Sequence, residues 1–402
     1  SLFATDWYID QMKRKAYESD PIPSQLTHDK YRYGTRDAIY YRGITDSRWS
    51  IQDFMNWVGS DKPQTKFGHI LESQGADISQ YPQSTLDIIY YPTNKIRIPV
   101  NKKNVLESGL VKEKDSALIV DYIDIDLPQS VLPKNRILML DLIANNDWKR
   151  PIYFSGGSFD SAEYIWMKDY LQLDGLAYKL VPIKTENQNS FEMGRIDSDL
   201  MYEIVKDWDW GNSGSEDIYH DPQTRSQGLS FRSNLARLME QLINENKIDK
   251  AKDVINIAMT NMPVDYYGFY AFVEPFVDGY YKVGETEKAR ALFDKLKKVY
   301  QEHLEYYANA PLDEQYEKID DILSDMQAYR RNIDILIENQ DKDLAESETI
   351  IFNEYIDKFS QFVGEEEEEA LEEPILEPNP DLEDSIPLDT MEAVQDGAQI
   401  EP

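Results

Sequence analysis

The chain has 402 residues, enough for two or three domains with a substantial core, and a formal net charge of −33 with a pI near 4.4. So acidic a chain argues against nucleic acid as a partner, which needs a concentrated basic face, and against adsorption to an anionic membrane surface. Cysteine is absent, which removes disulfides, thiolate metal sites and cysteine nucleophiles together.

In chain order, residues 1–5 read as the end of a strand. With no initiator methionine the chain reads as a piece of something longer. Thr5 or Asp6 can cap a helix through WYIDQMKRKAYES, which Asp20-Pro21-Ile22-Pro23 terminates. Residues 24–50 show no clean period. Residues 51–58 predict a short helix capped by Ser50, and 59–84 a long surface loop. Two β segments follow at 86–91 and 95–100, with Pro92-Thr93-Asn94 as the turn between them. A connection starts at 101–107, and the apolar–acidic alternation of ALIVDYIDID at 117–126 predicts a strand.

The best-defined stretch is 136–184. An apolar run of helical character (Ile137, Leu138, Leu140, Leu142, Ile143) leads through Asn145-Asn146-Asp147 to Lys149-Arg150-Pro151 and a short buried strand, Ile152-Tyr153-Phe154. Gly156-Gly157 ends that strand, and Ser158 caps a predicted helix carrying Tyr164, Ile165, Met167 and Leu171, closed by Gly175. Residues 177–183 form a further strand. Alternating helix and strand is an α/β pattern.

Residues 185–230 return to loop character, ordered by aromatics and broken by a short helix near 198–207. From Phe231 the texture is helical: Leu235, Leu238, Met239 and Leu242 form one stripe, and Ala251, Val254, Ile255 and Ala258 another. Pro263 breaks this pair. Segments 269–283 and 289–300 make a second pair. The turns at 247–259 and 284–296 superimpose, with Ala251 over Ala289 at a spacing of 38, near the ~34-residue tetratricopeptide period. Helices at 311–337 and 343–362 would cap the stack. From Gly364 there are 15 acidic residues and no Lys or Arg, a composition expected to be disordered. No apolar run approaches the ~20 residues of a membrane span, and the first residues lack the pattern of a signal peptide.

The candidate chemistry is sparse. His28, His69, His220 and His303 show no metal-ligand spacing, so no metal site is expected. The turn with Gly156, Gly157 and Ser158 lies between strand and helix, where backbone amides can hold a phosphate or carboxylate, with Lys149 and Arg150 beside it to neutralise the charge. The plainer alternative is a tight connection with a solvated basic edge. Trp208 and Trp210, interleaved with Asp207 and Asp209, could line a glycan- or peptide-binding groove together with Tyr219; a Trp-rich loop can equally staple itself to its own domain.

Several blocks resemble a known family. ATDWYIDQMKRKAYESDPIP (4–23), NNDWKRPIYFSGGS (145–158), DYLQLDGLAYKLVPIK (169–184) and the stretch from DWDWGN to NLARL (207–238) are similar, in order, to a bacterial membrane-protein family long catalogued as a domain of unknown function. That family is similar to protein O-mannosyltransferases of the GT-C class. The resemblance implies a periplasmic region at the face of the inner membrane, anchored by an upstream membrane domain. It also implies a lipid-linked sugar donor for the parent protein and an acceptor polypeptide or protein partner. It carries no catalytic residue and no cofactor onto this chain.

The expected architecture is therefore an α/β domain (1–185, first strand truncated), an ordered aromatic-rich connection (186–230), an all-α tetratricopeptide-like domain (231–363) and a disordered acidic tail (364–402). The expected role is binding or positioning of an acceptor for a membrane-embedded glycosyltransferase. The alternative is a non-enzymatic periplasmic scaffold.

Overall fold

In the computed structural model the chain divides into two compact units, residues 1–197 and 198–402. The residues described are 2–155, 165–185 and 193–362. The first unit mixes small sheets with helices and the second is helical, as the periodicity predicts.

Among the described residues of the first unit nine short strands form three sheets: β1 (Ala38–Tyr41), β2 (Trp49–Ser50), β3 (Tyr90–Tyr91), β4 (Lys95–Pro99), β5 (Tyr122–Asp126), β6 (Val131–Pro133), β7 (Tyr153–Ser155), β8 (Leu171–Asp174) and β9 (Ala177–Leu180). Their orders are β3-β1-β6, β2-β4-β5 and β7-β9-β8. In the second sheet Ile96 pairs with Ile125 and Ile98 with Ile123. Alternation turns all four isoleucines into the core, at 2 % exposure or less, and sends Arg97 and Asp124 outward. Arg97 there grips Asp124 through two bonds of 2.7 Å. The helix Ile51–Val58 is capped as expected, the Ser50 hydroxyl accepting the Asp53 amide at 3.1 Å. It packs on the helix Lys134–Asn146.

Several local expectations are corrected. Residues 2–4 form a 3-10 turn rather than the end of a strand, and the first helix is only Asp6–Met12. The 59–84 loop contains the helix Phe67–Ser73 and shorter turns. Pro92-Thr93-Asn94 joins two different sheets, because β3 pairs with β1 and β4 with β2 and β5. Within 117–126 only the last five residues are strand. β7 is half-exposed rather than buried. Leu171, expected on a helix, opens strand β8 and pairs with Leu180. Among the described residues the 3-10 turn Ile165–Tyr170 precedes it, and the predicted helix start at Ser158 and Tyr164 lies outside them. A short apolar run fits helix and strand equally, and here pairing with β9 decides. Gly175 turns the β8–β9 hairpin instead of ending a helix, with φ at 70°.

In the second unit Ser198–Lys206 matches the short helix expected near 198–207. The next helix, Pro222–Asn244, starts nine residues ahead of the expected Phe231. Asp221 caps it, accepting the Thr224 amide at 2.8 Å, and proline stands in its first turn. The helices Ile248–Asn261, Glu274–Lys282, Thr286–Asn309, Ile319–Glu338 and Lys342–Phe359 follow, and successive members pack on one another. The expected 311–337 helix is two, broken at Lys318. Ala251 and Ala289 are both fully buried. Gly279 sits where a Cβ would lie 2.2 Å from Met239 Sδ, so a bare α-carbon lets the Glu274–Lys282 helix close on Pro222–Asn244.

Buried carboxylates tie these helices together, each taking a cation and a tyrosine hydroxyl. Glu274 accepts from Arg331 Nε at 2.9 Å and Tyr300 at 3.2 Å. Glu348 accepts from Lys297 at 2.7 Å and Tyr329 at 2.7 Å. Asp341 accepts from Arg290 Nε at 2.7 Å and Tyr281 at 2.6 Å. Burial pushes the Glu274 carboxyl up, whereas the Arg290 guanidinium holds Asp341 below the ordinary range. A depressed carboxylate stabilises the fold above its unfolded pKa, and that contribution fades as pH falls through the folded value. Asp341→Asn is expected to cost about 1–3 kcal/mol at pH 7. In urea melts its deficit against the parent chain should narrow as pH drops from 5 toward 2; a gap of constant size would show that the charge plays no part.

Candidate functional site

The helix Lys134–Asn146 ends in an unusual way. Asp147 and Trp148, neither of them glycine, both adopt left-handed φ, at 46° and 58°. Such a turn persists only where its surroundings over-determine it. Here Asn104 Nδ2 donates to the Asp147 carbonyl and carboxylate, each at 2.7 Å, and Asn101 Nδ2 adds a bond at 3.1 Å. The Trp148 indole is buried, with Nε1 donating to the Pro99 carbonyl at 2.8 Å.

This turn sets the two cations that the sequence singled out. Lys149 is exposed, with Nζ 3.6 Å from Asp147 Oδ2. Arg150 Nη1 donates to the Pro21 carbonyl at 2.9 Å, and Asn146 Nδ2 donates to the Arg150 carbonyl at 2.7 Å. Both cations thus have partners inside the chain. Gly156, Gly157 and Ser158 lie outside the described residues, so the expected anion cradle is not among the geometry seen. The Arg150 bond to Pro21 also ties the 4–23 block to residues 145–155. Asp141, on the same helix, secures the next residues: it accepts from the Ser24 hydroxyl, from the Gln25 amide at 3.2 Å and from the Leu26 amide at 3.4 Å.

In the second unit the structure brings Trp208 and Trp210 together. Their ring centroids are 5.5 Å apart, and each lies 5.2 Å from Phe231. The rings are half-buried, and Trp208 meets both neighbours edge to face, so this cluster fastens the loop to the Pro222–Asn244 helix. His220, packed against Tyr266 and Tyr267, fastens the far end. Between them Gly214 passes the Thr260 carbonyl so closely that a Cβ would sit 2.3 Å from its oxygen. Tyr219 stands out at 84 % exposure. Among the described residues, no group of three or more His, Asp or Glu side chains is placed to hold a metal ion.

Sequence reasoning missed a cleft of about 270 Å³ in the first unit, lined by Tyr40, Arg42, Phe67, Ile88 and Tyr90. The signal available was the pair of Tyr-Tyr dipeptides at 40–41 and 90–91, the first followed by an arginine. Nothing local says that the two strands lie side by side.

A family model described as TMEM260-associated domain 2 matches residues 1–200. The matched stretch ends within three residues of the first compact unit, at 200 against 197. The similarity is therefore to the whole α/β unit. No curated protein and no solved structure matches the chain. Among the described residues no helix is long and apolar enough to cross a membrane.

Proposed function

We propose that the chain is an extracytoplasmic region of a membrane-embedded glycosyltransferase of protein O-mannosyltransferase type, and that it binds or positions the acceptor polypeptide. The observation that carries this reading is the similarity of residues 1–200 to TMEM260-associated domain 2, coextensive with a folded unit. In this reading the catalytic groups and the lipid-linked sugar donor belong to an upstream membrane domain at the periplasmic face of the inner membrane. The helical unit is then a tetratricopeptide-like array. Its consecutively packed helices and the fully buried Ala251 and Ala289 support that assignment. Tyr219, Trp208 and Trp210 are the proposed contacts for acceptor glycan or peptide, and Lys149 and Arg150, with Gly156, Gly157 and Ser158, those for an anionic group.

The test compares sugar transfer by membranes carrying the full-length parent, by the parent lacking residues 231–345, and by the purified chain. Transfer should require the parent and fall sharply on the deletion. Turnover by the purified chain alone would refute the reading. The packed helix pairs also favour a second one, a non-enzymatic scaffold for protein partners. Persisting transfer with loss of a protein assembly would select it.

A further inference from the structure

We propose that the cleft between β1, β3 and the helix Phe67–Ser73 binds an organic anion of single-ring size, a phosphate or carboxylate carried on a six-membered ring. The parallel pairing of β1 with β3 sets Tyr40 opposite Tyr90. Arg42, two residues beyond Tyr40, follows on the same face. Phe67 closes the opposite wall, with the Arg42 guanidinium carbon 5.0 Å from its ring centroid. The volume of about 270 Å³ lies just below the roughly 300–1,000 Å³ that drug-sized ligands occupy, so it suits one ring.

The polar groups decide the charge of the occupant. Tyr90 spends its hydroxyl on the Gln64 carbonyl at 2.8 Å and offers the cleft only its ring. Arg42 and the Tyr40 hydroxyl have no ion pair or side-chain hydrogen bond among the described residues. Elsewhere in the same unit Arg36, Arg48, Arg97 and Arg195 each hold a carboxylate. The nearby Asp87 is engaged by Lys66 at 2.7 Å. Among the described residues no carboxylate or side-chain amide lines the cleft. It therefore presents donors with almost no acceptors. A neutral sugar, whose hydroxyls must donate as well as accept, would leave protons unmatched, whereas an anion accepts from both groups. The rings supply the stacking surface, and the Arg42 guanidinium lies over the Phe67 ring. This inference stands apart from the transferase reading.

Isothermal titration of the full chain with phenyl phosphate, glucose 6-phosphate and glucuronate tests it, with glucose and inorganic phosphate as controls. At least one ring anion should bind, and both controls should bind about tenfold more weakly or worse. Which anion binds best distinguishes an aromatic from a sugar ring, and a phosphate from a carboxylate. Arg42→Met and Tyr40→Ala should each weaken binding. Both side chains are exposed, so the melting temperature should hold. Absence of binding by every ring anion at millimolar concentration would overturn the proposal. So would undiminished affinity in Arg42→Met, or inorganic phosphate binding as tightly as phenyl phosphate.

Discussion

Asp141→Ala is expected to destabilise the protein by about 3–5 kcal/mol, the scale of removing one partner from a buried charged network. The carboxylate is fully buried. It is the acceptor for the Ser24 hydroxyl, the Gln25 and Leu26 amides, and Asn145 Nδ2 at 2.9 Å. Lys13 stands behind it, donating to Ser24 Oγ at 3.3 Å and to the Leu26 carbonyl. Alanine would strand the buried Leu26 amide and leave the half-buried Ser24, Gln25 and Asn145 donors without their acceptor. Two effects compete, because burial pushes the Asp141 carboxyl up and removing a buried charge recovers part of the cost. Asp141→Asn separates them: it keeps the shape and one acceptor oxygen, and should cost about 1–3 kcal/mol. Urea denaturation of the three chains should give the order parent, Asn, Ala. An alanine variant within about 1 kcal/mol of the parent would mean that residues 24–26 are held by something else.

Arg232 should give a comparable loss in the helical unit. It is fully buried and faces no carboxylate in any described contact. Its Nη1 donates to the Gly268 carbonyl and its Nη2 to the Met262 carbonyl at 2.9 Å. Nε has no acceptor among the described residues. The guanidinium carbon lies 5.6 Å from the Tyr267 ring centroid. Burial lowers the group to about 10, still above neutrality, so a cation sits inside the unit. It is tolerated because Met262 and Gly268 follow the C-terminal ends of Ile248–Asn261 and Val264–Tyr267, where helix dipoles are negative. Arg232→Ala is expected to lose about 3–5 kcal/mol, from two unsatisfied carbonyls and a cavity. Arg232→Lys keeps the charge but not the fork and should fall between. If Arg232→Met instead matches or exceeds the parent in a denaturant titration, desolvation of the cation outweighs its hydrogen bonds.

The same contrast runs through the candidate site. Arg150 was legible as a cation beside a strand, but its attachment to Pro21 spans 129 residues of sequence and leaves no local trace. The Trp208–Trp210 cluster was legible as aromatic. Its packing on Phe231 depended on a helix that starts earlier than the apolar stripe, at a proline the periodicity does not register. The cleft was not legible at all, since its lining comes from three separated segments.

What the sequence determined by itself is whatever closes over a few residues. The helices of the second unit follow a 3.6-residue stripe, Ser50 caps the helix after it, and the isoleucines of β4 and β5 alternate. Helix hydrogen bonds run four residues along the chain, so their pattern is written locally. Only the tertiary structure decided which strands pair, that Leu171 is strand, that Asp141 and Arg232 are buried, and that Tyr40 meets Tyr90. A strand finds its partner anywhere in the chain, and a polar side chain is buried only when distant donors or acceptors arrive to satisfy it.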